Sequence, residues 1–114
     1  MGNLDIFEIY YNEIIGYSHK NDESFDMWKD LLNRAIDYTN IRAKWSLMPT
    51  EEKIEKDVYR TACHDSFINS LKVYIRYLKQ LGIELALNEL IEQDRKIIGD
   101  FANYIVFREA IKNR

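Results

Sequence analysis

The sequence predicts an all-α protein, a four- to five-helix bundle, mostly antiparallel, with the C-terminal helix at its centre. Three observations predict it. Apolar residues recur at three- and four-residue spacing through every long segment, which is the spacing of one helical face. No segment alternates with period two, so no strand is expected. Glycine and proline are few, four and one in 114 residues, so long elements are broken at only a handful of points.

The first helix is expected to be capped by Asn3 and to bury Leu4, Phe7, Tyr11 and Ile14. Ser18 to Asp22 is polar and rich in turn formers, a loop. Asp22 or Ser24 then caps a second helix with the stripe Phe25, Trp28, Leu31, Leu32, Ala35, Ile36, Thr39, Arg42 and Trp45. Pro49 ends it, because its ring disfavours helix at the preceding residue. Thr50 reads as the cap of a third helix, with Glu51 and Glu52 at the positive end of its dipole. That helix should run to about Gly82 on the stripe Phe67, Ile68, Leu71, Tyr74, Ile75 and Leu78. Ile83 to Ile91 reads as helix again, with Leu87 and Leu90 or Ile91 facing inward.

Asp94 caps or leads into a last helix through Ile97, Ile98, Phe101, Tyr104, Ile105 and Ile111. Gly99, Ala102, Val106 and Ala110 give this helix a second apolar side. Small residues let another backbone approach closely, so this helix should pack on two sides and lie centrally.

Composition bounds the function. At 114 residues the chain reads as one domain spanning 1–114, and 46% hydrophobic with 31% charged residues is a globular profile. A formal charge of −3 without a Lys/Arg cluster argues against a nucleic-acid partner, because phosphate binding needs a basic surface. Cys63 is alone, so no intrachain disulfide can form and a reducing cytoplasm is the expected setting. Met1 to Asp5 carries no basic leader, and no apolar run reaches membrane-spanning length. No membrane partner and no cofactor are expected.

Ionisable residues interrupt the apolar stripes at Arg42, at Asp57, Arg60 and His64, and at Asp94 and Arg108. A charge on the core side of a helix is costly unless paired, so these six are expected to meet. One reading is an internal salt-bridge network fixing helix register. The other is a polar pocket with three arginines to two carboxylates, suited to a small anion such as phosphate or carboxylate, with His64 as base or pH-sensitive contact. The order His19, His64-Asp65, then Asp94 or Asp100 resembles the metal-ligand spacing of HD-type phosphohydrolases, which are also all-helical. Asp65 points off the core face and no other metal-ligand pair is present, so no metal site is assigned. Cys63 beside His64 is read as a packing residue. Eight tyrosines exceed what one core needs, so some, with Trp28 or Trp45, are expected at an oligomer interface.

Arg60 to Phe67 followed by Asp94 to Tyr104 resembles a family of small all-helical bacterial proteins, Gram-positive or phage-related. The resemblance implies a bacterial, cytoplasmic setting and no activity. With no catalytic motif in view, the expected function is a non-enzymatic protein-interaction or regulatory module that binds a protein partner or forms a homo-oligomer. The alternative is a small-anion-binding or metal-dependent phosphohydrolase-like protein using the Arg/His/Asp cluster.

Overall fold

Capping chemistry and glycine placement divide the chain into four α-helices and one short 3-10 helix. They are α1 (Gly2–Ser18), α2 (Asp22–Trp45), α3 (Thr50–Gln80), the 3-10 helix Ala86–Glu92 and α4 (Arg95–Lys112). The computed structural model describes residues 2–112, with side chains from Leu4 onward.

The helix of α1 is already under way at Gly2, so Asn3 lies within it and is not a cap. Its inward face is Phe7, Tyr10, Tyr11, Ile14 and Ser18, while Leu4 is exposed. The cap of α2 is Asn21, one residue before Asp22 and three before Ser24, the two expected caps. Its Oδ1 accepts from the Ser24 N–H at 2.8 Å and its own N–H donates to Ser24 Oγ at 3.2 Å, a reciprocal capping box. The buried line of α2 is Ser24, Trp28, Leu31, Ala35, Tyr38 and Ile41, leaving Phe25 and Ile36 exposed. Two apolar lines run along this helix, and the line through Tyr38 and Ile41 faces the core.

Pro49, extended at φ −67° and ψ 160°, occupies the cap position of α3 and makes no side-chain cap bond. Thr50 is therefore the first helical residue rather than the cap. Proline's fixed φ suits that extended position, and it moves the helix start back by one residue. At 31 residues α3 is about 46 Å long, nearly the 47 Å longest dimension of the molecule. None of its residues before Cys63 is buried. Gly82 ends the segment at φ +81°, where the Gly82 and Ile83 N–H groups bond back to the Lys79 and Leu78 carbonyls at 3.0 Å.

The expected α-helix over 83–91 is instead a non-helical approach followed by the 3-10 turn. Three residues per turn eclipse Leu87 and Leu90 on one side, and both are fully buried. The Glu13 carboxylate on α1 accepts from the Ala86 and Leu87 N–H groups at 2.8 and 2.9 Å, pinning the start of this turn.

α4 touches every other element of the fold, as expected of a central helix. α1 and α2 run antiparallel, as do α2 and α3, and α4 is antiparallel to α2: Arg42 near the end of α2 meets Gly99 and Asp100 near the start of α4. Burial of Phe67, Tyr74, Phe101, Leu71, Leu78 and Ile105 forms one core, each such side chain contributing about 1.5–3 kcal/mol. Phe7 and Tyr10 pack on Phe101 at centroid distances of 5.3 and 5.7 Å. Tyr10, Tyr11, Tyr38, Tyr74 and Trp28 are all buried, so these aromatics face inward and not toward an oligomer interface. Among the described residues no helix is long and apolar enough to cross a membrane.

Gly99 and Ala102 are buried, but Ala110 is exposed. A Cβ on Gly99 would meet Cζ and Nε of Arg42 at 2.7 Å. The small residue makes room for a guanidinium, and not for the close backbone approach expected from sequence.

Candidate functional site

The six residues singled out by charge are distributed over five local arrangements. Arg42, near the end of α2, pairs with Asp100 at 3.1 Å, and Lys96 reaches the other Asp100 oxygen at 3.2 Å. Its guanidinium also lies 5.8 Å from the Tyr38 ring centroid. Asp57 and Arg60 pair with each other at 3.3 Å one turn apart on α3. The Arg60 guanidinium stacks 4.0 Å from the Trp45 ring centroid, joining α3 to the end of α2.

His64 packs edge-on against Tyr38 at 5.6 Å, and its Nδ1 lies 3.1 Å from Asp65 Oδ1. Asp94 does not enter the cluster. Its Oδ1 accepts from the Ile97 N–H at 2.9 Å and caps α4, which explains a carboxylate at that point of the sequence. Arg108 lies at the far end of α4, donating to the Tyr104 hydroxyl at 2.7 Å and sitting 4.7 Å from the Tyr11 ring centroid. The Tyr104 hydrogen bond holds its guanidinium above the usual arginine range. Nearby, Tyr11 donates to Glu109; burial and then this carboxylate push the phenol well above its ordinary value.

Tyr38 is the one bridge within the set, touched by both Arg42 and His64. Sequence reading missed it, together with Asp100 as the partner of Arg42 and Arg95, which donates to Thr61 at 3.2 Å. An Asp lying one turn from Lys96 and next to Gly99 was the available signal for the Arg42 pairing. The phosphohydrolase-like ligand set is not assembled. His19 is stacked on Phe25 at the α1–α2 turn, away from the His64–Tyr38 contact. Among the described residues no three His, Cys, Asp or Glu side chains gather closely enough to hold a metal ion.

Two shallow surface depressions lie near these groups. One of about 270 Å³ is lined by Thr39, Arg42, Ala43 and Asn103. The other, about 300 Å³, is lined by Trp45, Thr50, Lys53, Ile54 and Asp57 where α2 ends and α3 begins. Ile54 of that lining, and Leu47 and Val58 close to it in the chain, are 72, 86 and 79% exposed. Ile54 and Val58 are one turn apart on the side of α3 turned from the Phe67–Leu71–Leu78 core line. This apolar end of the α2–α3 hairpin, unforeseen from the sequence, carries the most exposed large apolar side chains among the described residues. Its signal was an i, i+4 apolar pair lying off the core stripe.

Comparison with protein-family models, with curated proteins and with solved structures yields no match.

Proposed function

We propose that this chain is a non-enzymatic helical protein-interaction module whose contact surface is the end of the α2–α3 hairpin. One observation carries the reading: Leu47, Ile54 and Val58 remain more than 70% exposed on a helix that has a well-filled core elsewhere. Clustered exposed apolar side chains of this kind mark interaction surfaces on soluble proteins. Burying Ile54 and Val58 against a partner would contribute about 1.5–3 kcal/mol each. Binding a different protein and forming a homo-oligomer are the two forms of this reading.

One experiment separates them. The wild-type chain and Ile54→Ser/Val58→Ser are compared by light scattering over a range of concentration and by cross-linking in extract of the native host. Self-association appears as a mass that grows with concentration in the wild type alone. A different partner appears as a monomer with one cross-linked protein that the variant loses. A monomer whose cross-links are unchanged by the substitutions would overturn the proposal.

A specific observation also supports small-anion binding. Arg42 Nη1 and Thr39 Oγ1 are buried without hydrogen-bond partners beside the depression they share with Asn103. Phosphate or sulfate held there should raise the melting temperature of the wild type and not of Arg42→Gln. Equal shifts in both would set this second reading aside.

A further inference from the structure

The apolar strip at the hairpin end has a charged border, and the border narrows what can cover it. Glu51 and Glu55 stand one turn apart on one edge of the strip, each three residues from Ile54 or Val58. Both are exposed, and among the described residues neither makes an ion pair, nor does Glu52. Of the basic groups nearby, Arg60 is paired and Lys53 makes no ion pair among the described residues. Lys53 lies 6.0 Å from the Trp45 ring centroid, and Arg60 is held between Asp57 and the same ring. Lys56 falls roughly 160° around the helix from Ile54 and from Val58, on the other side. The edge of the strip that carries Glu51 and Glu55 is therefore acidic, while the opposite edge carries Lys53 and Asp57, one charge of each sign.

From this we infer that the occupant of the surface is an amphipathic helix of another protein, with an apolar seam on Ile54 and Val58 and a Lys/Arg edge facing Glu51 and Glu55. The inference rests on the interaction reading above and adds the chemistry of the partner. A helix is the occupant because the strip is itself one helical face beside the Trp45–Lys53–Ile54 depression, and helices seat their seams in such grooves. A second copy fits poorly. In an antiparallel pair of α3 helices each edge meets its own counterpart, which sets Glu51 and Glu55 against the same glutamates. In a parallel pair they meet the Lys53–Asp57 edge, which sets one attractive charge against one repulsive one and gives no net complementarity.

The test uses the full chain and two synthetic helical peptides of about 14 residues, long enough to span the strip. They share one leucine seam and differ only in carrying lysine or glutamate at its edges. Binding is followed by backbone amide NMR on wild type, Ile54→Ser/Val58→Ser and Glu51→Lys/Glu55→Lys. The lysine peptide should bind the wild type about tenfold more tightly, as two rim charge pairs allow, with shifts confined to 45–62 and an advantage that shrinks in high salt. The glutamate-to-lysine variant should reverse the preference, and the serine variant should bind neither peptide. Equal binding of both peptides at 45–62 would overturn the basic partner while leaving the interaction surface standing. Shifts outside 45–62, an unreversed preference, or a wild-type homodimer through Ile54 that excludes both peptides would also overturn the inference. Failure of either peptide to perturb 45–62, with no self-association, would remove the surface itself.

Discussion

A methyl group added at Gly99 would stand 2.7 Å from Cζ and Nε of Arg42, the mobile end of a long side chain. Gly99→Ala should therefore displace the guanidinium and break its pair with Asp100. Loss of a half-exposed ion pair costs up to about 1 kcal/mol, and alanine in a helix interior recovers about 1 kcal/mol over glycine. Chemical denaturation should show little net change, and Arg42→Ala should cost less in the Gly99→Ala background than in the wild type. Equal costs in both backgrounds would show that the guanidinium has not moved. Arg60 and Asp94 have no contact in common, one stacking on Trp45 and the other capping α4. Asp94→Ala should cost about 1 kcal/mol as a lost cap, Arg60→Ala about 0.5–1 kcal/mol, and the double mutant their sum to within about 0.5 kcal/mol. Strong non-additivity would restore the single network expected from sequence. That expectation followed from tracing a stripe through charged residues, and stripe tracing does not see where a helix leaves its core. Asp57 and Arg60 lie in the part of α3 before the first buried residue, Cys63.

At the scale of the element, boundaries set by backbone chemistry were readable. Gly82 ends α3, Asp94 caps α4, and Pro49 separates α2 from α3 as residue types require. Elements shaped by distant contacts were not. The segment 83–91 has helical apolar spacing, yet it winds as a 3-10 turn held at its start by Glu13, more than 70 residues away. No local pattern contains that carboxylate. Glu13→Ala should cost about 1–3 kcal/mol, since it leaves two N–H groups without their charged acceptor. Hydrogen exchange at Ala86 and Leu87 should accelerate more than at the Leu71 or Tyr74 amides. Uniform acceleration across the chain would mean that the turn does not open on its own. In α2 the sequence carries two apolar lines, and only packing against Phe67 and His64 selects the one through Tyr38.

For the molecule as a whole, pH exposes the buried phenols. Tyr74 is fully buried and donates to the Ile14 carbonyl at 2.8 Å, and burial holds its hydroxyl well above the ordinary value of 10.0. Tyr11 is shifted the same way. A group whose folded pKa is raised stabilises the fold fully below its unfolded pKa and loses that contribution as pH rises above it. Their contribution should thus be fully present and unchanging near pH 8 and fall progressively above about pH 10. Tyr74→Phe should flatten part of the fall, read from urea midpoints at the two ends of that range. An unchanged slope in the variant would mean that this hydroxyl ionises as freely folded as unfolded. The fold class was legible because it needs only the period of the apolar pattern. The exposed apolar end of the hairpin was not, because exposure is a property of where neighbouring helices stop.

The same stopping point has a consequence for how the chain yields to a protease. Every buried residue of α3 lies at or beyond Cys63, so the first three turns are held by helix propagation and the Trp45 stack, with no core beneath them. Such a segment opens at far lower free energy than the global transition. Trypsin under native conditions should therefore cut after Lys53 or Lys56 well before it reaches Lys72, and a bound partner that orders these turns would slow that first cleavage.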